Sequence, residues 1–103
     1  MSAADISTLI KSKVELREPP MFRIIYLNDN KTSVDFVVES LIRHFEYTAV
    51  TAVQITEDIH ESGSAVVAVL PYEIAEQKGI EVTMDARNND FPLQIKLEPD
   101  IHN

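Results

Sequence analysis

The pattern of this chain predicts an α+β fold: a small three-stranded antiparallel sheet packed against three helices, in the order β-α-α-β-α-β. Three observations predict it. A complete one-sided apolar stripe runs through residues 34–45. A run rich in β-branched and aromatic residues, 22–27, and an almost continuous apolar run, 65–70, are bounded by turn chemistry. Strict apolar/polar alternation marks residues 93–98. With 103 residues the chain has room for one core. A domain of that size buries roughly two thirds of its unfolded surface and folds without staples.

The elements follow in order. Residues 1–20 hold no aromatic side chain and end in Glu18-Pro19-Pro20. Consecutive prolines favour extended backbone, so this segment is expected to be a flexible arm, with a brief helical turn around Ile6, Leu9 and Ile10. Residues 21–98 form the expected core domain and 99–103 a short tail. Residues 22–27 make the first strand. Asn28-Asp29-Asn30-Lys31 is turn chemistry. A helix over 33–45 follows, with Thr32 or Ser33 as its cap. Its apolar residues are Val34, Val37, Val38, Leu41, Ile42 and Phe45, the spacing of one helix face. Glu39 and Arg43 stand i,i+4 on the wet side.

A second helix is expected over 48–61, with Ala49, Ala52, Val53, Thr56, Ile59 and His60 sharing a face. Gly63 supplies its stop. The near-continuous apolar run 65–70 predicts a buried strand. Pro71 suits the first position of a third helix reaching Arg87, with Glu73 and Glu76 in the first turn. Gly79 weakens that helix locally. Asn88-Asn89-Asp90 is a turn, and Leu93, Ile95 and Leu97 mark the inner face of the last strand.

Nine basic against seventeen acidic residues give a net charge of −8. Phosphate binding rests on clusters of Lys and Arg, so nucleic acid is excluded as a partner of the usual electrostatic kind. No apolar run approaches the roughly 20 residues needed to span a bilayer. No secretory signal pattern stands at the N-terminus. The chain has no cysteine, which fits a reducing compartment, and a cytoplasmic location is expected.

Catalytic patterns are weak. With two glycines the chain has no phosphate-cradling loop. No nucleophile-elbow pattern surrounds a serine. Metal-ligand spacing among His44, His60 and His102 is missing, and no cofactor is expected. His44 falls on the polar flank of the first helix and is expected to be a solvated surface group. His60 has two readings. It shares a face with core-type residues, which favours a buried or rim histidine hydrogen-bonded for structure. Alternatively it is a ligand-binding histidine at the edge of an apolar cavity, because a neutral imidazole offers an acceptor nitrogen to an ammonium group.

The run from Phe22 to Thr32 followed by Asp35-Phe36-Val37-Val38 resembles the opening strand, N-D-D-x-T loop and first helix of the ClpS adaptor family. His60 falls where that family has its binding histidine. Tyr72-Glu73-Ile74-Ala75-Glu76-Gln77-Lys78 resembles its E-(V/I)-A-E-x-K helix start, and Phe91-Pro92-Leu93 its H-P-L. The four motifs stand in order over about residues 20–98.

The resemblance implies an adaptor, not an enzyme. Family members hold proteins bearing N-terminal Leu, Phe, Tyr or Trp and deliver them to the AAA+ unfoldase ClpA, which feeds the ClpP protease. By resemblance, Asn28, Asp29, Asn30 and His60 would meet the substrate's α-amino group. Thr32, Val34, Val37, Thr56, Ile59 and Leu93 would line the pocket for its first side chain. Glu73 and Lys78 would face the unfoldase, residues 1–20 would be the extension it engages, and the protein would act as a monomer.

Three positions depart from the family pattern. Asn30 stands for the second loop aspartate, with Asp29 left to compensate at longer range. Ser33 and Val34 stand for a proline and a gating methionine. Thr56 stands for a pocket methionine. The alternative function is an interaction domain of the same fold with altered or lost specificity for N-terminal residues; a small enzyme using His60 with a nearby carboxylate has no motif behind it.

Overall fold

The computed structural model describes residues 19–101. The elements are β1 (Met21–Leu27), α1 (Val34–Phe45), α2 (Ala49–Ser62), β2 (Ser64–Pro71), α3 (Tyr72–Asn88) and β3 (Gln94–Pro99). The sheet is antiparallel with β1 in the middle, in the order β2-β1-β3. Fold class and element order are those expected from the sequence. The arm expected over 1–20, apart from Pro19 and Pro20, and His102 lie outside the described residues.

Register follows the pleat. Ile24 pairs with Ala68 on one side and Leu97 on the other, and Tyr26 with Ala65 and Ile95. These side chains meet the helices. Ile24 and Tyr26 are wholly buried among Leu41, Ala52, Val67, Ala75, Val82 and Ala86. The Tyr26 hydroxyl reaches Ser40 Oγ at 2.8 Å, and Ser40 in turn donates to the Val37 carbonyl at 2.8 Å. Because Ser40 has a single hydroxyl proton, Tyr26 is the donor in this pair. Burial pushes the Tyr26 phenol far above its ordinary range.

Several local expectations are corrected. The run 65–70 forms an edge strand, not a buried one. Val67 is buried, but Val66 and Val69 are 48% and 40% exposed. A single covered face of an edge strand can shelter only alternate residues. The irregularity opposite Ile24 and Ile25 shifts that alternation. The buried face of α1 also includes Phe36 and Ser40, both outside the predicted stripe, while Val34 is exposed. Helix α1 is flanked by α2, α3 and β2, so it is covered over a wider arc than a helix lying on one surface. The Phe36 ring packs on Phe91 at 5.2 Å.

His44 is not solvated. Its side chain is 14% exposed, and Nε2 lies 3.1 Å from Asp85 Oδ2, tying α1 to α3 together with Arg43 at 3.2 Å. Pro71 stands at the N-cap position of α3, one residue before its first turn, and Asn88 is still helical. Residues 99 and 100, placed in a tail by the sequence, join the sheet. Pro99 ends β3, the Asp100 N–H donates to the Met21 carbonyl at 2.9 Å, and Arg23 Nε donates to Asp100 Oδ1 at 2.8 Å.

Candidate functional site

The loop between β1 and α1 is organised by Asp29. Its Oδ1 accepts the backbone N–H groups of Lys31 at 2.8 Å and Thr32 at 2.6 Å, and Oδ2 accepts the Thr32 hydroxyl at 2.7 Å. Partial burial by itself raises this carboxyl. The donors on Thr32 and Lys31, with Arg87 nearby, outweigh it and hold Asp29 below its ordinary value of 3.8. Ser33 then caps α1, its Oγ accepting the Phe36 N–H at 3.0 Å.

The same loop is tied to the far end of α2. The Asn28 N–H donates to the Gly63 carbonyl at 2.8 Å. Gly63 takes φ 90° and closes α2 by donating its N–H to the Ile59 carbonyl at 2.9 Å. Only glycine adopts this left-handed backbone cheaply, so the helix stops there and turns back to meet the loop. His60 sits in that last turn.

Between α1 and α2 lies a partly open cleft of about 180 Å³. Val34 and Val38 line it from α1, and Val53, Thr56, Glu57, His60 and Glu61 from α2. Its walls are apolar and its rim polar. Thr56 is buried and donates its hydroxyl to the Ala52 carbonyl at 2.7 Å, so it leaves no unmet donor in the cleft. His60 is exposed, and among the described residues no hydrogen bond or ion pair engages its ring. The buried structural histidine is therefore not the one that forms. Glu57 and Glu61, one turn apart, are likewise exposed and without a cation among the described residues.

The structure brings Val34, Thr56 and His60 to the cleft. Asn28 and Asn30 stand exposed on the loop that Gly63 holds beside α2. Thr32 and Asp29 are occupied with each other. Val37, Ile59 and Leu93 are 7%, 4% and 1% exposed and belong to the core cluster. Glu73 and Lys78 lie on α3, with Lys78 Nζ 3.8 Å from Glu81. Sequence reading gave Val38 and Val53 to the core and overlooked Glu57 and Glu61. The signal was available, because 53, 57, 60 and 61 follow the i, i+4, i+7, i+8 spacing of one helix face. It also overlooked Arg87, whose Nη1 donates to the carbonyls of Phe91 and Leu93, both at 2.9 Å, and fixes the approach to β3.

Fold and cleft together define a small binding domain with a partly enclosed apolar recess and a polar mouth. The chain belongs to the ClpS family: the model described as ATP-dependent Clp protease adaptor protein ClpS matches residues 17–96. ATP-dependent Clp protease adapter protein ClpS of Acetivibrio thermocellus is 41% identical over 95 residues, which cover 90% of this chain and 96% of that one. Its counterpart in Clostridium acetobutylicum is 39% identical over 88 residues, covering 85% and 87%. The solved structure of Agrobacterium tumefaciens ClpS2 bound to L-phenylalaninamide is similar with a TM-score of 0.78 and 34% identity, covering 81% of this chain and 100% of that chain. The protein is thus an adaptor of the Clp protease and not an enzyme. Among the described residues no helix is long and apolar enough to cross a membrane, and no three His, Asp or Glu side chains converge to hold a metal ion.

Proposed function

We propose that the protein grips the free α-amino group and first side chain of proteins bearing N-terminal Leu, Phe, Tyr or Trp, and delivers them to the unfoldase ClpA. One observation carries the reading: the bond from Asn28 to Gly63 holds a loop of polar acceptors beside the helix turn that presents His60 at the mouth of an apolar cleft. The ligand of the Agrobacterium ClpS2 structure has the two features this arrangement suits, a free α-amino group and a benzyl side chain.

The chemistry is consistent. An α-amino group titrates near 7.7–8.0, so it is mostly cationic at neutral pH. Stripping its water is costly unless acceptors replace it. The carbonyl oxygens of Asn28 and Asn30 and an imidazole nitrogen of His60 supply three such acceptors. Asp29 remains an anion within the loop, but both its oxygens already accept donors there, so it acts on the ammonium through its field rather than through a bond of its own. Glu57 and Glu61 add to that negative field at the rim of the cleft. A Leu or Phe side chain entering between Val34, Val38, Val53 and Thr56 adds about 1.5–3 kcal/mol by burial. Val37, Ile59 and Leu93 back this wall from the core. Requiring both groups selects a free N-terminus and its residue together.

Glu73 and Lys78, at the N-terminal half of α3, make the surface for the unfoldase, and the adaptor acts as a cytoplasmic monomer. Titrating fluorescent peptides that differ only in their first residue, with an N-acetylated control, tests the reading. Binding of free N-terminal Phe or Leu that acetylation abolishes supports it. Retained binding to ClpA with no peptide binding would instead favour an interaction domain that has lost recognition of N-terminal residues.

A further inference from the structure

A second apolar surface lies in a groove between α3 and β3. Ile80 and Met84 project from α3 at 53% and 60% exposure, and Ile95 and Leu97 rise from β3 half-buried. Gly79 floors the groove; a methyl there would touch Ile95 and Leu97 at 3.8 and 3.9 Å, so the absence of a side chain leaves a trough. Contiguous apolar surface of this kind marks a place where something binds.

We propose that the occupant is this chain's own segment 1–18. The described chain begins at Pro19 and Pro20, which lie in a recess with Tyr72, Glu73 and Glu76, and the Pro20 carbonyl accepts the Tyr72 N–H at 3.2 Å. Glu76 lines both that recess and the groove, so the segment leaves the body at the groove's end. From Glu76 to Met84 along α3 is about 12 Å. Leu9 and Ile10 stand nine or ten positions before Pro19 and reach at most about 33 Å from it, well past that distance.

The chemistry matches. Ile6, Leu9, Ile10 and Val14 are apolar at helical spacing and suit an apolar trough. Residues 11–18 carry Lys11, Lys13 and Arg17 against two acids, Glu15 and Glu18. They would run past Glu73 and Glu76, neither of which has a cation partner among the described residues. Docking would place the segment on the adaptor's own body in the absence of other partners.

The 103-residue chain carries its own reporter. It has three methionines and no cysteine, so a nitroxide on Ser7→Cys is unique and the Met84 methyl resonance lies in the groove. The Met84 signal is expected to lose most of its intensity beside the label. It should recover in the label-bearing variant that also carries Leu9→Glu and Ile10→Glu. An unaffected Met84 signal overturns the proposal. So does a loss that disappears on dilution, which would mean that a second copy fills the groove, or a loss unchanged by the two glutamates.

Discussion

Asn28 and Gly63 are joined by a 2.8 Å hydrogen bond from the backbone N–H of one to the carbonyl of the other. This contact fixes the polar loop after β1 against the end of α2. Neither residue contributes its side chain, so the link survives sequence change at Asn28 but not at Gly63, whose left-handed backbone it needs. Substitution of Gly63 is expected to disturb loop and helix end together.

His60→Ala should leave the fold intact, because the ring is exposed and unbonded within the described residues. Its melting temperature is expected to stay within a few degrees of the parent. Peptide affinity should fall by about tenfold or more, the value of a hydrogen bond to a charged group at roughly 1.5–3 kcal/mol. Fluorescence anisotropy with a free N-terminal Phe peptide measures this, and unchanged affinity would remove His60 from the site.

Glu57→Gln and Glu61→Gln keep the shape of the rim and remove its charge. Both are expected to weaken binding of a free N-terminus by a few-fold at low salt. The difference should shrink as ionic strength rises and the Debye length shortens to about 8 Å. An N-acetylated peptide should not distinguish the variants from the parent.

Asp29→Asn tests the loop by pH. The folded carboxyl titrates below its ordinary 3.8, so the anion is the form that native structure favours. Its stabilisation is therefore fully present above the unfolded value and is lost as pH falls through the lower folded one. Urea unfolding should find Asp29→Asn less stable at pH 7 by about 1 kcal/mol, the usual worth of a capping side chain. The gap should close in strong acid.

Gly79→Ala should stabilise the protein. Gly79 lies inside α3, and the added methyl meets Ile95 and Leu97 at ordinary contact distance. Glycine costs a helix about 0.8–1 kcal/mol relative to alanine. Thermal unfolding should show a rise of about 4–8 °C for a domain of this size.

Tyr26→Phe removes the donor to buried Ser40. A lost buried bond is expected to cost about 1–3 kcal/mol. Combining it with Ser40→Ala should cost less than the sum of the two, since the residues form one network with the Val37 carbonyl. Denaturant midpoints of the three variants give the coupling.

Local pattern decided much of this protein. Val37, Val38 and Leu41 at helical spacing, and Ile95 and Leu97 alternating with Lys96 and Glu98, commit their segments whatever surrounds them, because hydrophobic period selects helix or strand. Caps are equally local: Ser33, Thr48 and Gly63 end or begin helices through their own side chains or backbone freedom. The four ordered motifs also carried the family.

Which side of an element is covered, and by what, was settled only by the tertiary structure. The run 65–70 looked buried because its composition is apolar, yet its place at a sheet edge leaves Val66 and Val69 in solvent. His44 looked solvated until α3 brought Asp85 against it. His60 had two readings, structural or ligand-binding, until the end of α2 carried it exposed to the rim of the cleft. Asp29 shows the same division: its side chain was visible as turn chemistry, but that both its oxygens are engaged within the loop, while Glu57 and Glu61 meet no cation among the described residues, depends on distances. Periodicity is a property of neighbours along the chain, whereas burial and pairing arise from segments remote in sequence that meet only when the sheet and helices close on one another.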